Sequence, residues 1–154
     1  MQQANCHSNR SRRSHVILLV EDHDIYRDVV RAAMGKYLPE DEMVEADSVE
    51  AALRMLQLRT IDLMVVDMTL PDGSAIDLVE QAGHFIEQGV KVILFSSHSS
   101  ADMLPVLSRG DVHGYVSKEQ GLKALAEAIT EIKGTKADVC LASVEHETFL
   151  ESSL

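Results

Sequence analysis

The sequence predicts an α/β fold, a five-stranded parallel sheet with helices covering both faces. Three observations lead to it. Short strand-like segments recur five times along the 154 residues, each too short for a helix, and the clearest of them, Val16–Val20 and Leu63–Asp67, are apolar enough to be buried. Amphipathic helical patterns lie between them, and strand–helix alternation of that kind builds a parallel sheet. The third run, Leu63–Asp67, ends on a carboxylate and meets the turn signal Pro71-Asp72-Gly73. Chemistry is expected at that point, because open parallel sheets place their sites beyond the carboxyl ends of the strands.

Val16–Val20 is the first strand. Asp24 or a neighbour caps a helix to about Tyr37, with Ile25, Val29, Ala32 and Ala33 at helical spacing and Pro39 as its stop. Met43–Ala46 reads as a weaker strand. Asp47 or Ser48 caps the next helix, which runs to about Arg59 and aligns Val49, Ala52, Leu53 and Leu56. After the third strand, Ser74 caps a helix to about Gln88 that Gly89 ends. Val90–Phe95 is the fourth strand, and a short helix then reaches Arg109. Pro105 past its first turn would cost about 3 kcal/mol or more. A start near Asp102, or a short and mobile helix, is therefore expected. Val112–Val116 is the fifth strand. The last helix runs from about Glu119 to Lys133, with Leu122, Leu125, Ala126 and Ile129 inward and Gly134 at its end. Residues 1–14 read as a flexible arm, 15–134 as one folded domain and 135–154 as a tail or linker.

Composition narrows the function. A formal charge of −11 argues against nucleic acid as a direct partner, since phosphate binding needs a basic face. The apolar runs are far too short to span a membrane. Arg12-Arg13 precedes only Val16–Val20 and then Glu21-Asp22, so no h-region of an export signal follows. Cys6 and Cys140 are the only cysteines and both lie in the expected tails. That points to neither a disulfide framework nor a zinc site, and to a reducing cytoplasm.

The strand ends collect a pattern. The first ends in Glu21-Asp22, the third in Asp67 and the fourth in Ser96-Ser97, while Lys118 follows the fifth. In the doubly wound order 2-1-3-4-5, strands one and three are neighbours at the switch point, and Glu21, Asp22 and Asp67 converge. Three carboxylates that close repel one another, and a hard divalent cation relieves the repulsion. An oxygen-only set with room for water suits Mg²⁺ rather than zinc. With the Lys118 ammonium and the Ser96 hydroxyl, the constellation is a site for phosphoryl oxygens. Asp67 is its natural nucleophile, forming an aspartyl phosphate. Each residue alone has an ordinary reading, as a capping Asp, a solvated acidic pair, a surface lysine or a loop hydroxyl. Their joint placement at the correct strand ends favours the site.

Across about residues 15–134 the chain resembles a receiver domain of bacterial two-component response regulators, whose fold is flavodoxin-like. Val20-Glu21-Asp22-His23 matches the acidic-pair motif and Asp67-Met68-Thr69-Leu70-Pro71 the phosphoacceptor motif. Phe95-Ser96-Ser97 matches the Ser/Thr motif of strand four, and Gly114-Tyr115-Val116-Ser117-Lys118 the aromatic-plus-lysine motif. The resemblance implies Mg²⁺-dependent phosphoryl transfer to Asp67 from a histidine kinase or phosphotransfer protein. It implies Asp22 and Asp67 as direct metal ligands, Glu21 acting largely through water, and the Thr69 backbone carbonyl completing the set. Lys118 would pair with the phosphoryl group. Ser96 would swing toward it and Tyr115 would rotate inward, switching the face of helix four, strand five and helix five for dimerisation or partner binding. Thr69 and His98 hold the variable positions that tune phosphoryl lifetime in the family, although His98 reads as a bystander.

The stretch Glu21–Arg27 is similar to the NarL/FixJ class, but Asp24 stands where that class often has Pro. Ala75 and Asp111 stand where Gly is usual, with Gly110 one place earlier. His84 and His113 read as structural or surface residues. The tail after Gly134 is short and acidic for a DNA-binding module, so output by contact with another protein or a second copy is expected. The alternatives are an N-terminal fragment of a DNA-binding transcriptional regulator and a constitutive, phosphorylation-independent binding module. An enzyme of the haloacid dehalogenase type would want a second Asp at position 69 and its acidic pair late in the chain. A signalling receiver, not a turnover enzyme, is the expectation.

Overall fold

The computed structural model describes residues 14–97 and 100–135. Strands β1 (Val16–Val20), β2 (Glu42–Ala46), β3 (Leu63–Val66), β4 (Lys91–Ser96) and β5 (Gly114–Ser117) form one parallel sheet in the order β2-β1-β3-β4-β5. This is the flavodoxin-like order. Helices α1 (Asp24–Tyr37), α2 (Val49–Leu58), α3 (two segments, Ala75–Gln81 and Gly83–Glu87), α4 (Ser100–Leu107) and α5 (Leu122–Thr135) connect and cover it.

Alternation along each strand sorts the core into two layers. Ile17, Leu19, Leu63, Val65, Ile93, Phe95 and Val116 meet Val30 and Met34 of α1 and Leu125, Ala126 and Ile129 of α5. Leu18, Val20, Met64, Val66, Val92 and Leu94 meet α2, α3 and, through Met103 and Val106, α4. Every residue of β3 is buried. β3 is the central strand of the five, so its end, where Asp67 begins, lies at the middle of the sheet.

Several expected details are corrected. The inward stripe of α1 is Tyr26, Val30, Ala33 and Met34, whereas Ile25 is 79% and Val29 46% exposed and Ala32 is exposed. The two stripes lie one residue apart on the helix, and seating Val30 and Met34 on the sheet turns Ile25 and Val29 outward. Helix α3 breaks at Ala82, beside Gly83, the weakest helix former short of proline. Helix α4 starts at Ser100, before the expected Asp102, and keeps Pro105 inside it. Burial of Met103 and Val106 holds it there, with Leu104 and Pro105 on the exposed side. The fifth strand begins at Gly114, not Val112. The last helix is preceded by a 3₁₀ turn, Lys118–Gln120, which Gly121 at φ +94 separates from α5. Gly134 does not end α5, which continues to Thr135. Cys6, His98 and Cys140 lie outside the described residues. No helix among the described residues is long and apolar enough to cross a membrane.

Candidate functional site

The parallel ladder continues one residue past β1 and β3. Glu21 N–H donates to the Ala46 carbonyl and Asp67 N–H to the Val20 carbonyl, both at 3.0 Å. The acidic pair and Asp67 are thus carried on the sheet itself and come out side by side at its carboxyl end. Carboxylate oxygens of Glu21, Asp22 and Asp67 all lie within 4.8 Å of one another. Glu21 is buried, Asp67 is half-buried and Asp22 is exposed. Among the described residues this is the one group of three such side chains near enough to share a metal ion. Its donors are all oxygen, with one ligand open to water, which fits Mg²⁺.

Lys118 closes the pocket from β5. Its Nζ donates to Glu21 Oε1 at 3.1 Å and lies 3.5 Å from Asp67 Oδ2. The backbone under it is fixed by a small capping box. Ser117 N–H donates to Gln120 Oε1 at 2.8 Å, while Ser117 Oγ accepts from Glu119 N–H at 3.2 Å. Nζ also stands 4.5 Å from the centroid of the Tyr26 ring, which stacks on Phe95 at 6.1 Å.

The charges follow from this packing. Burial raises the pKa of Asp67, Glu21 adds to the rise, and Lys118 and the Met68 N–H oppose it. Burial pulls Lys118 down, but pairing with Glu21 and Asp67 outweighs burial and holds it above its ordinary value. Burial also raises the Tyr26 phenol, against the pull of Lys118.

Two loops hold the site. In the first, Arg27 Nη1 donates to the Glu21 carbonyl at 2.7 Å while its head pairs with Asp24 at 2.7 Å and Glu45 at 3.0 Å. In the second, between Asp67 and α3, Thr69–Leu70 pairs antiparallel with Gly73–Ser74, and Ala75 N–H donates to the Met68 carbonyl at 2.9 Å. Ser74 and Asp77 form a reciprocal capping box on α3, an arrangement whose cap is worth about 1 kcal/mol. Ala75 occupies the usual glycine position without a positive φ, and Gly110 takes φ +90 beside Asp111, which pairs with Arg109. Neither departure touches the acidic pocket.

Glu21, Asp22, Asp67 and Lys118 are thus brought together. Ser96 is fully buried at the end of β4, in register with Ser117. Tyr115 is half-buried on β5 in register with Leu94, and Thr69 is exposed in the hairpin. Tyr26, Arg27 and Asp72 had no place in the sequence reading of the site. For Tyr26 and Arg27 the available signal was spacing: a helix opening straight after an acidic pair brings residues of its first turn back over that pair. His113 is structural, its Nδ1 accepting the Val92 N–H at 3.0 Å, and His84 is exposed.

Residues 17–130 match the sequence profile of the response regulator receiver domain. The DNA-binding transcriptional activator DevR/DosR of Mycobacterium tuberculosis is 30% identical over 116 residues, covering 75% of this chain and 53% of that protein. A LuxR-family two-component response regulator from an Aurantimonas species superposes with a TM-score of 0.72 at 29% identity, over 80% of this chain and 87% of its own. TrrA of Thermotoga maritima, solved in complex with Mg²⁺ and BeF, shares the fold with a TM-score of 0.67 at 22% identity, over 77% of this chain and 98% of its own. The chain spans about half the length of the curated relatives it matches.

Proposed function

This chain belongs to the response regulator receiver family, the signalling modules of two-component systems, and from that membership we propose that Asp67 is its phosphoacceptor. The donor is the phosphohistidine of a sensor histidine kinase or of a phosphotransfer protein. One observation carries the reading: the convergence of Glu21, Asp22 and Asp67 beneath the Lys118 ammonium. An Asp67 oxygen attacks phosphorus, the phosphorus–nitrogen bond to the donor histidine breaks, and the leaving imidazole takes up a proton. Asp67 must be ionised to attack, although burial and Glu21 favour its protonated form. Lys118 counters that preference and then pairs with the phosphoryl oxygens.

The carboxylates of Glu21, Asp22 and Asp67 and the backbone carbonyl of Thr69 are the groups that would hold Mg²⁺. The ion supplies charge neutralisation at the transferring oxygens. Phosphorylation draws the Ser96 hydroxyl toward Asp67 and lets Tyr115 turn inward, which alters the α4-β5-α5 face for dimerisation or for a protein partner. The receiver occupies residues 15–134, between an arm of residues 1–14 and a tail of residues 135–154, and works in the cytoplasm. It is a switch rather than a turnover enzyme, and a net charge of −11 disfavours direct nucleic-acid contact by this stretch. A second reading, a receiver that controls a DNA-binding segment, draws support from the similarity to DevR/DosR.

The test is intact mass and sizing chromatography after acetyl phosphate and Mg²⁺, on wild type and Asp67→Asn. An adduct in wild type alone, and only with Mg²⁺, supports the phosphoacceptor. No adduct with any donor would hand the pocket to the constitutive-module reading.

A further inference from the structure

Lys118 has two carboxylates within reach before the reaction and is required by a phosphoryl group after it. Glu21 lies 3.1 Å and Asp67 3.5 Å from its Nζ. If Mg²⁺ draws both carboxylates, the ammonium loses its two charged partners before the phosphoryl oxygens arrive. A flexible four-carbon stem would then leave it free to swing out toward water. The Tyr26 ring face, 4.5 Å from Nζ, is the contact that does not change hands. Its own position is fixed from below by Phe95, 2% exposed, at an interplanar angle of 23°.

We infer that Tyr26 is a positioning residue of this site: its ring, stacked on Phe95, keeps the Lys118 ammonium over the acidic pocket while the carboxylates are engaged elsewhere. The inference rests on the phosphoacceptor reading for its consequence, not for its geometry. A partly desolvated ammonium over an aromatic face is attracted to the ring quadrupole whether or not phosphoryl chemistry follows. The ring face carries the effect, and the phenol hydroxyl is not needed for it. Arg27 does not substitute, because its head is committed to the Glu21 carbonyl, Asp24 and Glu45.

The experiment compares Tyr26→Phe, Tyr26→Leu and Tyr26→Met with wild type in two measurements. The first is the NMR shift of the Lys118 ε-methylene protons in unphosphorylated protein without Mg²⁺. The second is the rate of adduct formation with acetyl phosphate and Mg²⁺. A ring-current displacement is expected in wild type and Tyr26→Phe and is lost in the Leu and Met variants. Adduct formation is expected to slow by about fivefold to tenfold in the Leu and Met variants and to stay within about twofold in Tyr26→Phe. In a Lys118→Met background, Tyr26→Leu should cause no further slowing.

Equal slowing in Phe and Leu would overturn the inference, because the hydroxyl and not the ring face would then be responsible. A Leu variant at the wild-type rate, or further slowing without Lys118, would overturn it too. The Met variant provides the non-aromatic comparison if the Leu variant fails to fold. Absence of an adduct in wild type would sink the phosphoacceptor reading alone, and the ring-current comparison would then decide for or against Tyr26.

Discussion

The Asp72 carboxylate accepts the backbone N–H of Val49 at 2.8 Å, so the loop that follows Asp67 caps a helix to which it does not belong. Its second oxygen accepts from Glu50 N–H at 3.0 Å. Orphan donors at the start of α2 are thus satisfied from across the top of the sheet, with Ser48 taking the Ala51 N–H. These hydrogen bonds hold the pKa of Asp72 below the usual carboxylate value. Because the folded value is depressed, the contribution is present above the unfolded carboxylate pKa and disappears as pH falls through the folded one. Asp72→Asn should lower Tm at neutral pH and leave it unchanged in strong acid. Thermal melts across the acidic range check this.

Asp67 behaves in the opposite sense. Its folded pKa is raised, so its ionisation costs stability, and the cost sets in as pH rises from the unfolded to the folded value. Asp67→Asn should therefore raise Tm of the metal-free protein at neutral pH and flatten that part of the profile. Added Mg²⁺ should stabilise wild type and have far less effect on the Asn variant. A variant that melts below wild type without metal would contradict the electrostatic account.

Lys118→Met leaves the carboxylate of Glu21, 2% exposed, without its ammonium partner. A loss of about 2 kcal/mol is expected from denaturant unfolding. Mg²⁺ affinity should rise at the same time, since a competing cation has been removed from the pocket. Calorimetric titration separates the two effects.

Asp22 is exposed and its substitution should be almost silent for folding, within about 0.5 kcal/mol. If Asp22 holds Mg²⁺ as proposed, Asp22→Asn should nevertheless weaken Mg²⁺ binding by about tenfold, because a carboxylate of the acidic group loses its charge. Unchanged affinity in that titration would remove Asp22 from the ligand set.

Pro105 leaves the Ala101 carbonyl of α4 without a helical N–H partner. Pro105→Ala supplies that donor and should increase hydrogen-exchange protection along α4. The net stabilisation is about 1 kcal/mol, since the proline also restrains the unfolded chain.

The central strands β1, β3 and β4 were legible in the sequence because burial on both faces demands a nearly unbroken apolar run. By contrast β2, with Glu42 and Glu45, and β5, which opens on Gly114, carry a weaker pattern. The acidic pocket was legible for a related reason, since strand order alone brings the ends of β1 and β3 together. What stayed hidden depended on contacts between elements. In α1, Ile25-Val29-Ala32 and Tyr26-Val30-Ala33 are both helical stripes, and only the seat on Phe95 and the sheet chooses between them. The same choice turns Tyr26 toward Lys118, so an error in the helix face hid a residue of the site. The proline inside α4 is a case where packing, the burial of Met103 and Val106, overrode a local preference.

The far end of the sheet carries its own consequence. His15 N–H donates to Asp41 Oδ1 at 3.0 Å and Val16 N–H to Asp62 Oδ2 at 2.8 Å, with Lys133 paired to Asp41. These bonds clamp the first residues of β1 at the edge remote from the pocket. Side chains alternate along a strand, so a slip of one residue would exchange the environments of its neighbours. Glu21 and Asp22 are consecutive acids, the one buried beside Lys118 and the other facing water. A clamp at the floor of the domain therefore selects which of two adjacent carboxylates is enclosed and which stays open to an incoming ion.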